Sequence, residues 1–395
     1  MMFAYKHIVW TRRIKWAAAW LCFCVLVSLS APFLANDIPL YARLNGESYL
    51  PVLNPQASVA SGGITLPAFR TDWHHNGAFC IWPPVTWSPV STDMNASLSP
   101  PLEKRHLLGT TLTGNDVLSG IIHGAAISLG IGLFSMLIAG LIGISAGAVA
   151  GFAGDKGYRV PLIACITLVA GIIPACFYGF YLRSETMVKA LQQGNGVAAV
   201  LVSCLVFFMV LYACWKLGKL LGRLKIISKR VFLPADLFIS RITEVFASLP
   251  RLILVITLSA IARPSAMNLV LIFGLTGWTE IARMTRAETL KLRKGDFIQS
   301  AISQGLRPAR IVFVHALPNI TRPALVSMLF GIAGVILAES SLSFLGIGVP
   351  FGTVTWGSLI AAARENFEAW WLVVFPGLAI FFTIASLNIL ADAVE

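Results

Sequence analysis

Residues 122–152 have the sequence IHGAAISLGIGLFSMLIAGLIGISAGAVAGF. The run contains no Asp, Glu, Lys or Arg, and it is longer than the roughly 20 apolar residues that an α-helix needs to cross about 30 Å of hydrocarbon. A soluble domain must cover its surface with polar groups, and this segment offers almost none. The run therefore predicts a transmembrane helix.

The composition of the whole chain agrees with this prediction. Of 395 residues, 57% are hydrophobic and only 12% are charged, whereas a soluble domain carries about 25% charged residues. We therefore predict an all-α polytopic membrane protein with about eight transmembrane helices. Besides 122–152, the candidate spans are residues 16–34, 160–182, 197–215, 245–262, 267–283, 323–345 and 371–391.

The first apolar run has two interpretations. Arg12, Arg13 and Lys15 precede it, and Ser28-Leu29-Ser30 resembles a cleavage site, so the run could be a signal peptide instead of a membrane span. Both interpretations leave the later topology unchanged.

The distribution of charge predicts the orientation. Residues 1–15, 154–160, 216–232 and 283–322 hold 20 of the 30 Lys and Arg but only 3 of the 18 acids, a net charge of +17 against −5 elsewhere. Basic loops favour the cytoplasm, so these pieces and both termini are predicted to be cytoplasmic. The positive charge of the chain is thus explained without nucleic acid, and residues 35–120 are predicted to lie on the external side of the membrane.

The external residues 35–120 are rich in Pro, Ser and Asn and show no sustained period, which indicates irregular structure with a few short strands. His74 and His75 lie near Cys80, but two adjacent imidazoles do not converge on one ion without further ligands. No metal site is predicted.

Residues 216–231 mix six basic residues with Leu and Ile. This pattern is typical of a basic interfacial helix that contacts anionic membrane lipids. A solvated linker that only fixes the topology is an equally good interpretation.

Residues 283–322 form the most basic segment between two predicted spans, and a hydrophilic loop of this length indicates a function. Asp296 is placed to cap a short helix, and Gly305 is a typical C-terminal cap. A second short helix can follow Pro308 and end before Pro318. Two short helices bent at Gly305 would form a knob that a soluble partner can bind.

These residues resemble a known family. Gln299-Ser300-Ala301, three residues, Gly305, nine residues and His315-Ala316-Leu317-Pro318-Asn319 have the spacing of the EAA loop of ABC importer permeases, in its peptide and nickel branch. Further blocks resemble the same branch, including residues 108–118 and 338–348. Residues 35–51 resemble the C-type inner-membrane subunit of microcin C and oligopeptide importers of Gram-negative bacteria. The resemblance covers about residues 10–153 and 231–391.

The resemblance implies a permease core of six helices in the bacterial inner membrane, which works with a homologous permease subunit, two ABC ATPase domains and a periplasmic solute-binding protein. It implies that the ATPase contact lies in the loop, and the candidate residues are Asp296, Gln299, Ser300, Ala301, Gly305, Leu306 and Pro318. Two departures are notable. Gln299 and Ser300 replace the usual Glu and Ala, and residues 155–231 are an insertion.

The resulting organisation has five parts. They are a cytoplasmic N-terminus with the first helix (1–34), a periplasmic segment (35–120), a second helix (121–154), an inserted hairpin with a basic cytoplasmic linker (155–231), and the permease core (232–395) with its coupling loop (283–322).

Several function classes are disfavoured. The chain has no Gly-x4-Gly-Lys-Ser/Thr motif, so ATP is expected to be used by partner subunits, and no cofactor is predicted. A secondary transporter should show internal repeats, and an intramembrane enzyme should show a catalytic motif, but the sequence shows neither.

Glu339 and Glu280 are ionisable residues within predicted membrane spans. Such residues are expected either to face the translocation pathway or to have a structural role.

Overall fold

The computed structural model describes residues 11–44, 47–53, 79–153, 159–192, 196–222, 230–232, 235–306, 310–350 and 352–394. Most of these residues are helical, which confirms the predicted all-α fold class. The helices are α1 (Arg12–Leu29), α2 (Ala31–Leu34), α3 (Val117–Ala153), α4 (Leu162–Ala170), α5 (Ile172–Cys176), α6 (Ser184–Gln192), α7 (Gly196–Leu221), α8 (Ala235–Ser248), α9 (Arg251–Ile261), α10 (Ala266–Arg293), α11 (Asp296–Ser303), α12 (Leu317–Phe344), α13 (Trp356–Ala362) and α14 (Trp371–Val394). The strands are β1 (Tyr41–Leu44), β2 (Glu47–Tyr49), β3 (Phe79–Ile81), β4 (Arg159–Pro161) and β5 (Arg230–Phe232).

Within the described residues, five helical segments are long and apolar enough to cross a membrane. They are Val117–Phe152, Leu162–Tyr181, Val202–Leu221, Val314–Phe344 and Trp371–Val394, and the bent pair α8–α9 makes a sixth candidate. The eight predicted spans also include α1 and α10. Three basic residues open α1, and charged residues occupy the second half of α10, so neither helix qualifies on length and composition alone.

The predicted continuous span over residues 245–262 is wrong. The chain bends by 81° between α8 and α9, at Leu249 and Pro250. Proline has no N–H for a helical hydrogen bond, and its ring disfavours the helical conformation of the residue before it. The new helix begins directly after Pro250, whose carbonyl accepts from Leu254 N.

One compact unit consists of Met1–Ser145, Val245–Thr285 and Phe313–Glu395. Its core is formed by buried apolar residues of α3, α9, α10 and α12, among them Ile131, Val255, Phe273 and Val335. Gly143 allows α3 to approach α10 closely, because a Cβ at this position would lie 2.7 Å from the carbonyl oxygen of Trp278. α1 packs along α14, where Trp20 Nε1 donates to Thr383 Oγ1 at 3.2 Å.

The second unit consists of Ala146–Glu244 and Arg286–Val312, and it contains the hairpin that the sequence analysis predicts to be an insertion. Strands β4 and β5 pair antiparallel and bring the two ends of the insertion together. Between them, α4, α5 and a π-type turn at Phe177–Tyr181 pack antiparallel to α7. The contact uses small residues, since a Cβ on Gly171 would lie 2.8 Å from Cys214 Cβ. α7 also continues six residues beyond the predicted end at 215.

Residues of the 35–120 segment contain the few short strands that the sequence predicts. β1 lies between β2 and β3 in an antiparallel sheet, with Ala42 opposite both Tyr49 and Cys80. Further along, His106 is buried, stacks on Trp87 and is 2.8 Å from the Asp116 carboxyl group. This contact fixes the irregular loop against the start of α3. His74 and His75 lie outside the described residues.

Candidate functional site

α11 is the short helix that the sequence predicts after Lys294-Gly295. Asp296 is the first residue of this helix and not its N-cap. The N-cap position belongs to Gly295, because its carbonyl accepts the first helical hydrogen bonds, from Ile298 N and Gln299 N. A carboxylate in the first turn still interacts favourably with the helix dipole. The helix ends as predicted at Gly305, which has φ +73°, and Leu306 N donates to Ala301 O at 3.2 Å. This bond is typical of a Schellman cap.

One face of α11 is fixed to its surroundings. Ile298, Ala301 and Ile311 form a small buried cluster, against which Phe152 of α3 and Leu306 pack. Ala301 is one of the seven predicted contact residues, but it is only 6% exposed and lies on this inner face. A small side chain here allows α11 to lie close to the cluster.

The opposite face of α11 is exposed. Asp296, Gln299 and Ser300 are exposed on it, and Gly305 is exposed just beyond the end of the helix. At the edge of this face, Phe297 is the largest exposed apolar residue among the described side chains of α11, at 62% exposure. A partner that binds this face would meet one aromatic ring surrounded by polar groups.

Gln299 has a definite role in place of the usual Glu. Its Nε2 donates to the carbonyl oxygen of Arg293, the last residue of α10, at 2.8 Å. A carboxylate cannot donate a hydrogen bond, so Glu could not make this contact. Gln299 thus ties α11 to the end of α10.

The ends of the predicted loop differ from the expectation. α10 continues to Arg293, so residues 283–293 are helical, because exposed charged side chains are compatible with a helix. The second short helix does not end before Pro318. A π-type turn at Ile311–Ala316 runs directly into α12, and Pro318 lies in the first turn of α12, where a missing N–H costs little. Pro308 lies outside the described residues.

The last part of α10 is anchored to α8 by an ion pair that the sequence did not reveal. The Arg286 guanidinium binds both carboxylate oxygens of Asp236, with Nη2 to Oδ2 at 2.7 Å. Paired contacts of this kind are stronger and more directional than single ones. A second ion pair, Arg241–Glu244, lies within α8 at 2.6 Å, but it is exposed and contributes little.

Glu339 lies at the centre of a buried polar cluster and is 0% exposed. Ser343 Oγ and Thr355 Oγ1 both donate to Glu339 Oε1 at 2.8 Å, and Ser128 Oγ donates to Oε2 at 3.5 Å. The cluster joins α12, α3 and the cap of α13, since Thr355 is the N-cap of α13. The neighbouring Ser340 and Ser341 do not take part, because their hydroxyls donate to backbone carbonyls one turn back.

Glu280 is exposed on α10, and a second ionisable residue that the sequence analysis missed lies near it. This residue is Arg251, the first residue of α9. Its guanidinium group lies against Gly277 of α10, where a Cβ would be 3.1 Å from Arg251 Nη2, and Gly277 is one turn before Glu280. An Arg directly after a Pro in an apolar run is the signal that could have found it. Among the described residues, no three His, Cys, Asp or Glu side chains are placed to hold a metal ion.

Comparison with known proteins gives one family and several relatives. Residues 226–395 match the family model of the binding-protein-dependent transport system inner membrane component. The chain is 26% identical over 394 residues to the inner membrane ABC transporter permease protein YejE of Escherichia coli (strain K12), which covers 97% of this chain and 92% of the relative. It is 24% identical to the peptidoglycan transport system permease protein YejE of Agrobacterium fabrum, over 95% of this chain and 85% of the relative. It is 26% identical to the di/tripeptide transport system permease protein DppC of Pseudomonas aeruginosa, over 74% of this chain and 71% of the relative.

Proposed function

We propose that the chain is the permease subunit of an ATP-driven importer for oligopeptides or peptide-like compounds, because residues 226–395 match the family model of inner membrane components of binding-protein-dependent transport systems and its relatives include peptide permeases. The resemblance to ABC importer permeases is confirmed by relatives that align over nearly the whole chain. A homologous permease would complete the pathway, a periplasmic solute-binding protein would deliver the substrate, and two ATPase domains would supply the energy.

The charge distribution supports an orientation with α11 and both termini in the cytoplasm. The four basic pieces carry 20 Lys and Arg against 3 acids, and the loop that contains α11 is one of them. In this orientation the inserted hairpin crosses the membrane twice, so the core keeps its direction.

Reporter fusions test the orientation. Alkaline phosphatase fused after His75 or Ala190 should be active, because the enzyme folds only outside the cytoplasm, and fusions after Lys225 or Ser300 should be inactive. The measurement is phosphatase activity per amount of fusion protein. An active fusion at Ser300 would place α11 on the wrong side and overturn the orientation.

The contacts of α11 support its role as the coupling element. Its inner face packs on Phe152 of α3, and Gln299 bonds to the end of α10, whose Arg286 is paired with Asp236 of α8. A displacement of α11 by an ATPase would therefore be transmitted to three membrane helices. Packed helices move as rigid bodies, which is the motion that alternating access requires.

The chain purified alone should hydrolyse no ATP above a detergent blank, because we propose that the nucleotide sites belong to partner subunits. The measurement is phosphate release at saturating ATP. ATP hydrolysis that copurifies with the chain, and is lost on mutation of this chain, would contradict the proposal.

Uptake in cells tests the substrate class. A strain without the gene should lose uptake of labelled oligopeptides and regain it with the wild-type gene, while nickel uptake stays unchanged. Loss of nickel uptake alone would identify a nickel permease instead. Peptide uptake that persists without the ATPase subunits would indicate a secondary transporter.

A further inference from the structure

One face of α7 is left uncovered by the other helices of the second unit. Only 6% of the span Val202–Leu221 is buried, and the buried side packs on α4 and α5 through Cys214 and Gly218. The uncovered face is defined by residues at intervals of three and four, which lie above one another on a helix. Its members are Leu205, Phe208, Met209, Tyr212, Trp215, Lys216 and Lys219.

The chemical character of this face changes in a fixed order along the helix. Leu205, Phe208 and Met209 are apolar and 60–65% exposed. Tyr212 and Trp215 follow, and such rings are typical of the boundary between hydrocarbon and headgroups. The face ends in Lys216 and Lys219.

The two ammonium groups lie against the two rings. Lys216 Nζ is 5.4 Å from the centre of the Tyr212 ring, and Lys219 Nζ is 3.8 Å from the centre of the Trp215 ring. The rings orient the lysines, but they carry no charge that neutralises them. Among the described residues, neither ammonium has a carboxylate within 4.0 Å.

The sequence supplies no acid nearby either. The chain has no Asp or Glu between Glu185 and Asp236, while six basic residues lie in 216–232. Arg223, Lys225 and Lys229 lie outside the described residues, and Arg230 lies opposite Pro161 in the β4–β5 ribbon. The charge of Lys216 and Lys219 is therefore available to an anion from outside the chain.

The length of the face matches one leaflet of a bilayer. From Leu205 to Lys216 the helix rises about 16 Å, at about 1.5 Å per residue. Half of a hydrocarbon core is about 15 Å thick. When Leu205 is at the centre of the membrane, the lysines are at the level of the phosphates.

We propose that this face of α7 binds an anionic phospholipid, with its phosphate at Lys216 and Lys219 and an acyl chain along Leu205, Phe208 and Met209. A phosphate ester supplies the missing negative charge, and the acyl chain covers the apolar part. A soluble anion would use only the lysines. The basic stretch is thus a lipid site as well as a topology signal.

Lipid binding to the full-length protein in detergent provides the test, because in detergent the topology signal has no effect. Native mass spectrometry would count bound phosphatidylglycerol and phosphatidylcholine at equal concentrations. Wild type should prefer phosphatidylglycerol. The double variant Lys216→Gln/Lys219→Gln should bind phosphatidylglycerol at least about tenfold more weakly, since each basic residue near a phosphate contributes several-fold.

Matched variants separate this site from general charge. Lys189→Gln/Lys291→Gln removes the same charge elsewhere and should bind like wild type, as should Lys216→Arg/Lys219→Arg. Unchanged phosphatidylglycerol binding in the Lys216→Gln/Lys219→Gln variant would overturn the proposal. Displacement of the lipid by millimolar inorganic phosphate would also overturn it, because the site would then be one for soluble anions.

Discussion

Ala301→Asp should reduce peptide uptake to background, a drop of at least about a hundredfold, while the protein remains in the membrane. Ala301 is buried in the cluster of Ile298, Ile311 and Phe152, and the described members of this cluster are all apolar. Burial of an unpaired charge costs several kcal/mol, so α11 would leave its position and lose its connection to the membrane helices. The measurement combines uptake of a labelled peptide with the amount of protein in purified membranes.

A matched variant separates the position from the charge. Gln304→Asp adds the same charge three residues further on, at an exposed site, and should retain uptake within about twofold because exposed substitutions change stability little. Wild-type uptake by Ala301→Asp would show that α11 is not the coupling element. Loss of the protein from the membrane would show that the cluster is needed for folding instead.

The features that the sequence predicted are those with local causes. Apolar runs of sufficient length predicted the helices, and Gly305 predicted the end of α11 because only a residue that tolerates positive φ can form that cap. The bend at Pro250 also has a local cause, because a proline within an apolar run predicts a break in the helix at that point.

The missed features depend on residues that are far apart in the chain. Asp236 and Arg286 are separated by 50 positions, and Ser128 and Glu339 by 211, so no spacing rule could pair them. Side-chain hydrogen bonds such as that of Gln299 depend on where the preceding helix ends. The sequence predicts the end of α10 too early, because the basic residues in its last turns have the composition of a loop.

Glu339→Ala should destabilise the protein by about 3 kcal/mol or more. The substitution leaves the buried hydroxyls of Ser343 and Thr355 without their acceptor and removes the bond from Ser128. Each unsatisfied buried group costs about 1–3 kcal/mol. The loosened cap of α13 and a new cavity would add to the effect. The measurements are the thermal unfolding of the purified protein and its abundance in membranes.

Glu339→Gln distinguishes a structural role from a role in the translocation pathway. The amide oxygen can still accept from Ser343 and Thr355, so the variant should lose no more than about 1 kcal/mol and should keep its uptake. Glu280→Gln removes an exposed carboxyl group from a neighbouring helix and should leave the stability unchanged. If Glu339→Gln is stable but transports no peptide, the carboxyl group itself takes part in transport, and the structural role is insufficient.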